Sequence, residues 1–371
     1  MPELIFPPVF DLAASFARFQ AVPPFWTFLR TAGYKLRPPS PRPFSPTVRR
    51  AQEDVLERGL AQPHQKTAVL REHRQGSLPT IVLGGFVPDA TEQVFLLRGL
   101  LLNSGSLYYF NYSRRGFSVD LLCAQLDDLV EELTTLHGQR PVIFTVSFGC
   151  GLLLEWLRRR RQQGRPPPLA GSILISPVAC TADLLDPAVA KPGTLLGRAL
   201  KPFMAVSGIV SLPGLEKSRA VFTRMFESGA QNKTSLHALM TKTELACLRT
   251  AVLEAIQRLE PAGASERVQA LQSMPAPSAD FLLHLGPLSL APTSILYAEK
   301  ESSVLTENSP TRCAFETARQ AAFPQSSLQL ISNPCHSPVQ HASLIFHVLN
   351  FLPSIKTFYQ QLKRSKLRQA A

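Results

Sequence analysis

Ser147 lies in Val142-Ile143-Phe144-Thr145-Val146-Ser147-Phe148-Gly149-Cys150-Gly151-Leu152, where an apolar, β-rich run gives way at once to a helix-like segment. A serine on such a sharp strand-to-helix turn presents its hydroxyl beyond the strand end. A histidine placed there can take the proton and make the oxygen a nucleophile. That chemistry also needs an acid to orient the histidine and to stabilise the imidazolium it becomes. Both residue types follow downstream. Ser294-Ile295-Leu296-Tyr297-Ala298-Glu299-Lys300-Glu301 carries a carboxylate just past a strand, and Ser332-Asn333-Pro334-Cys335-His336-Ser337-Pro338 carries a histidine in a loop. His341 and His347, at the start of and within what reads as the next helix, look like packing residues. Gly149-x-Gly151 could also open a dinucleotide fingerprint, but Leu154 stands where its third glycine belongs and the strand is not the first of the sheet.

The elements that must position these groups alternate in type. Strands are predicted over residues 67–72, 79–83, 107–112, 142–146, 172–176, 294–298 and 327–331. Helices are predicted over 152–161, from Ser118 with Leu122, Leu126, Leu129 and Leu133 on one stripe, and from Ala342 to Leu352. Strands separated by helices imply a mostly parallel sheet with helices on both faces. Two regions break the alternation. Residues 1–60 form an aromatic, proline-rich extension, with a short helix opening at Ser45-Pro46. Residues 181–290 contain helix-like pieces and no convincing strand, so they are predicted to be a helical cap inserted between the two parts of the core, 61–180 and 291–371.

Serine elbow, acid and histidine in this order resemble the α/β-hydrolase superfamily, over about residues 60–360. Thr145 departs from the first glycine of its G-x-S-x-G elbow, and Ala298 replaces the glycine of its Gly-x-x-Asp turn. The resemblance implies a catalytic triad of Ser147, Glu301 and His336, with Glu299 and Asp183 as alternative acids. Gly84-Gly85-Phe86 resembles the family's oxyanion turn, which implies the backbone N–H groups of Phe86 and Phe148 as donors. It further implies acyl transfer through an acyl-enzyme on Ser147, on a carboxylic ester, thioester or amide, with no metal or organic cofactor. Phe203, Met204, Phe222, Met225, Phe226 and Met240 of the cap suit a lipid-like acyl pocket and equally suit packing against the body. The alternative is a non-catalytic member of the fold that binds or scaffolds.

The chain's 371 residues and 45% hydrophobic content suffice for a full core, and its net charge is +12. The densest basic run, Arg158 to Arg161, ends a helix ahead of Gly164 and has no interleaved aromatics, so it reads as a solvated helix end and not as a nucleic-acid site. The aromatic N-terminus suits docking on the body, with contact to a membrane surface as the second reading. Six scattered cysteines without a CxxC pair suit buried thiols of a reducing compartment, and the cytoplasm is the expected location. Composition leaves substrate identity and oligomeric state open.

Overall fold

The computed structural model describes residues 41–185, 192–204, 212–229, 240–333 and 337–370. An eight-stranded sheet runs in the order β1-β2-β4-β3-β5-β6-β7-β8. Its strands are β1 (Arg42–Pro43), β2 (Ala68–Glu72), β3 (Thr80–Leu83), β4 (Leu107–Asn111), β5 (Val142–Val146), β6 (Gly171–Ile175), β7 (Thr293–Ala298) and β8 (Ser326–Ile331). From β4 to β8 every pairing is parallel, and β1 and β2 add an antiparallel edge. Seven of these strands match the predicted ones to within two residues at each end.

Period-2 alternation divides the core in two. Ile81, Tyr108, Ile143, Leu174 and Ile295 point to the face covered by helices Val119–Glu131, Phe148–Gln162 and Pro310–Ala322. Val82, Tyr109, Phe144, Ile173 and Leu296 point to the other face, which the C-terminal helix Val348–Ala370 covers through Phe351, Ile355 and Tyr359. Ser118 caps its helix as predicted, its hydroxyl accepting from the Leu121 N–H at 3.2 Å.

Part of the segment predicted as an extension packs on the body. β1 pairs with β2, and the helix Arg50–Glu57 is tied to the helix Val119–Glu131, where the Asp128 carboxylate accepts from the N–H groups of Ala51 (2.9 Å) and Gln52 (3.0 Å). Residues 1–40, with most of the aromatic run, lie outside the described residues. The closing helix begins at Val348 instead of Ala342, because Ala342 has φ +50° and so cannot enter a right-handed helix.

Between β6 and β7 the described residues form only helices: Leu195–Leu200, Leu212–Gly229, Lys242–Gln257, Pro261–Ser273 and Ala279–Leu285, with short turns between them. They sit against the C-terminal ends of the strands. Among the described residues, no helix is long and apolar enough to cross a membrane. Arg158 and Arg159 pair with Glu155, and Arg160 lies 3.6 Å from Asp127, so much of the basic run is neutralised locally. Cys123, Cys150 and Cys180 are buried, while Cys247 and Cys313 are exposed; Cys335 lies outside the described residues.

Candidate active site

Ser147 stands between β5 and its helix with φ 50° and ψ −114°, a strained geometry for a residue with a Cβ. Such a turn survives only where its surroundings fix it. The Ser147 N–H donates to Ile175 O at 2.8 Å, and its carbonyl accepts from Cys150 N–H and Val178 N–H at 2.9 and 3.2 Å. Gly149 is required by close approach: a Cβ there would stand 2.5 Å from the carbonyl oxygens of Leu83 and Gly84. Thr145, the departure from the family pattern, fits because its buried hydroxyl donates to Ile173 O at 2.9 Å and so joins β6. At the N-terminus of its helix, the Phe148 N–H has no hydrogen-bond partner among the described residues.

His341 is the histidine at Ser147. Its Nε2 is 2.9 Å from Ser147 Oγ, and its Nδ1 bonds the carboxylate of Glu301. Glu301 can only accept when ionised, so Nδ1 carries the proton and Nε2 is left to accept from the serine hydroxyl. This corrects the packing role predicted for His341. His336, the predicted base, lies outside the described residues. The reason is a register set after the sheet ends. β7 and β8 pair Ala298 with Ile331, and an isolated parallel bridge then pairs Lys300 with Gln340. The two pairings are separated by one residue, Glu299, on one chain segment and by eight residues on the other, and the next residues past the bridge are Glu301 and His341. His347 does pack: it is buried, and its Nδ1 meets Ser343 Oγ at 3.0 Å.

Glu301 is 2% exposed. Its second oxygen accepts from Ala298 N–H at 2.6 Å and from Ser176 Oγ at 2.7 Å. The same Ser176 hydroxyl accepts from Ala342 N–H at 3.1 Å, which ties the acid to the residue beside His341. Among the described residues the non-glycine positions with positive φ are Ser147, Ser176 and Ala342, so this kind of backbone strain is confined to this cluster. Nothing in the sequence singled out Ser176 or Ala342, since neither belongs to a motif. The alternative acids are elsewhere. Glu299 is exposed and accepts from Asn333 N–H at 3.2 Å. Asp183 is fully buried by Ser309 and Thr311.

A cavity of about 180 Å³ opens over Ser147 and His341. Phe222, Met225 and Phe226 of the cap line it, together with Val252, Ile256 and Leu344, and no Asp, Glu, Lys or Arg is among its described lining residues. The same rings also join cap to body. Phe222 stacks on Phe86 at 5.9 Å, and Phe226 packs on Phe346 of the histidine loop at 5.1 Å. Phe203, Met204 and Met240 do not line the cavity; they follow or precede cap helices and pack into the core.

Phe86 and Phe148 turn their rings into the core, 5.7 Å apart. The Phe86 carbonyl accepts from Nη1 of Arg267 at 2.6 Å, while its N–H has no partner among the described residues. Arg267, on the cap helix Pro261–Ser273, is 1% exposed and also donates to Ser113 O (2.9 Å) and Tyr112 O (3.2 Å). Burial pushes its pKa down to about 9, so it remains a cation at neutral pH, held by these carbonyl oxygens and by the Phe86 and Tyr112 rings it lies over at 5.7 and 5.3 Å.

No protein-family model matches the sequence, and no curated protein matches it either. Solved structures do. An esterase from Rhodococcus sp. ECU1013 aligns over 80% of this chain and 96% of its own with a TM-score of 0.52 at 14% identity. A bromoperoxidase from Bacillus anthracis aligns over 80% and 96% with a TM-score of 0.52 at 16% identity. An esterase from Thermogutta terrifontis aligns over 80% and 94% with a TM-score of 0.50 at 16% identity. Strand order, the strained serine turn and these likenesses agree: the chain has the α/β-hydrolase fold.

Proposed function

We propose that the protein is a serine hydrolase that cleaves a carboxylic ester with a neutral, apolar acyl group. The observation that carries this reading is the continuous chain Ser147–His341–Glu301, assembled on a backbone strained at the serine and at both residues flanking the acid–histidine pair. Strain of this kind costs on the order of 1–3 kcal/mol per residue and persists at functional sites, where the surrounding structure holds it in place.

The reaction follows from the hydrogen bonds. His341 Nε2 takes the Ser147 proton as Oγ attacks the ester carbonyl, and Glu301 stabilises the resulting imidazolium. Negative charge gathers on the former carbonyl oxygen, beside the unpartnered N–H groups of Phe86 and Phe148. His341 then returns the proton to the departing alkoxide, leaving an acyl-enzyme. Water attacks that ester with His341 again as base, and a carboxylate leaves. The uncharged cavity favours an aliphatic acyl group, because an ionised group there would lack a partner. The esterases among the structural neighbours make ester the leading substrate over thioester or amide.

The test is reaction with a fluorophosphonate and mapping of the adduct by mass spectrometry. Labelling at Ser147, lost in folded Ser147→Ala and in His341→Ala, is the expected result. An adduct only at another serine, or no adduct on folded protein, sinks the reading. Within it, Phe226→Asp should raise KM for long-chain esters far more than for acetate esters.

A further inference from the structure

The surface of the cavity next to Ser147 is made by Gly85 and Gln93. Gly85 approaches the nucleophile closely: a Cβ built on it would lie 3.6 Å from Ser147 Cβ. The same Cβ would lie 2.9 Å from Gln93 Nε2. The amide nitrogen of Gln93 therefore hangs over Gly85, in the cavity that Ser147 also lines, on a side chain that is only 7% exposed.

The orientation of that amide is fixed by its other end. Gly85 N–H is a donor and can be met only by an oxygen, and Gln93 Oε1 accepts from it at 2.7 Å. Nε2, with two N–H groups, has no partner among the described residues and is not among the sealed, unsatisfied polar atoms. It thus opens onto the cavity. A backbone N–H that the turn could have offered to substrate is spent on Gln93, and the Gln93 amide returns a donor at the cavity surface.

We propose that the Gln93 side-chain amide is a further oxyanion donor, acting with the Phe86 and Phe148 N–H groups on the tetrahedral intermediate formed at Ser147. The inference rests on the serine-hydrolase reading. The donor is neutral and its acceptor end is anchored, so it needs no reorganisation as charge develops on the substrate oxygen.

The test compares Gln93→Glu and Gln93→Met with wild type on a p-nitrophenyl ester, together with inhibition by a trifluoromethyl ketone carrying the same acyl chain. Gln93→Glu keeps an acceptor for Gly85 N–H and removes the donor; Gln93→Met removes both and adds no charge. If Gln93 donates to the oxyanion, both variants lose about 100- to 1,000-fold in kcat at nearly constant KM, and the ketone's Ki rises in parallel, on the scale known for a single oxyanion-hole donor. If Gln93 only pins the turn, the uncharged Gln93→Met leaves the ketone's Ki within about threefold of wild type, and the inference is overturned. Should Gln93→Glu not fold, Gln93→Met decides alone: a loss of about tenfold or more in kcat and a parallel rise in Ki support the donor, and an unchanged Ki overturns it. Wild-type protein that neither turns over the ester nor is labelled on Ser147 fails differently, removing the serine-hydrolase reading and this inference together.

Discussion

Asp183 and Glu301 are both buried carboxylates, and both follow a strand of the same sheet, Asp183 past β6 and Glu301 past β7. They have opposite surroundings. Asp183 accepts from the N–H groups of Ala179 (2.8 Å), Cys180 (3.1 Å) and Thr311 (3.0 Å) and from the hydroxyls of Ser309 and Thr311 (both 2.6 Å). Every one of these donors comes from a loop or helix end that must be held in place, and none is an imidazole. Glu301 shares one oxygen between Ala298 N–H and Ser176, and gives the other to His341. A carboxylate saturated by fixed donors ties loops together. One that keeps a free oxygen for an imidazole can serve chemistry. Burial and strand-end location do not distinguish them; the partner of the last oxygen does.

The comparison is tested most severely at the histidine. His341→Ala should reduce kcat by about four orders of magnitude or more, as loss of a triad member does in the serine-protease template, while His336→Ala should leave it within about threefold. The reverse outcome would detach Glu301 from the reaction. Next come the carboxylates themselves. Glu301→Gln should lower kcat at least ~100-fold with little change in unfolding midpoint, since Gln Oε1 can still accept from Ala298 and Ser176. Asp183→Asn should do the opposite, retaining kcat per folded molecule within about tenfold but costing about 2–4 kcal/mol in urea unfolding, because donors lose a charged acceptor. Equal effects on activity would erase the distinction.

Ser176→Ala sharpens it further. Loss of the hydroxyl that joins Glu301 to the Ala342 N–H should cost about 5- to 30-fold in kcat, less than loss of the acid, with KM nearly unchanged. The smallest effect is expected at a half-buried carboxylate, Glu92, whose Oε1 accepts from the Thr91 hydroxyl at 2.8 Å while its Oε2 has no partner among the described residues. Burial first, and then Asp89, raise its pKa from 4.5 to about 7. The folded protein therefore binds more protons here than the unfolded chain between those values. Stability should fall as pH rises through that window and level off above it, by about 1–3 kcal/mol. Glu92→Gln should remove this slope, so the two unfolding curves should converge near pH 4 and separate by pH 8.

The sequence carried those parts of the molecule whose causes are local. Alternating apolar runs determined seven strands, Ser118 determined a helix start, and an apolar strand running into Ser147-x-Gly149 determined the elbow, because strand, turn and helix are contiguous there. Glu301 was legible as well, since its distance past β7 is a matter of a few residues. His341 was not. Its place depends on the Lys300–Gln340 bridge, formed with eight residues intervening after the last pair of β8, and no local pattern encodes where such a bridge will fall. The apolar run Leu344-Ile345-Phe346 made His341 look like the first turn of a helix. Only the tertiary structure shows that run turning back on Phe226 of the cap and Ala342 held at positive φ by Ser176. Local chain chemistry determined which serine is strained and which acid follows its strand. Packing between distant segments decided which histidine reaches them, because a hydrogen bond to Ser147 requires register across residues nearly two hundred positions apart.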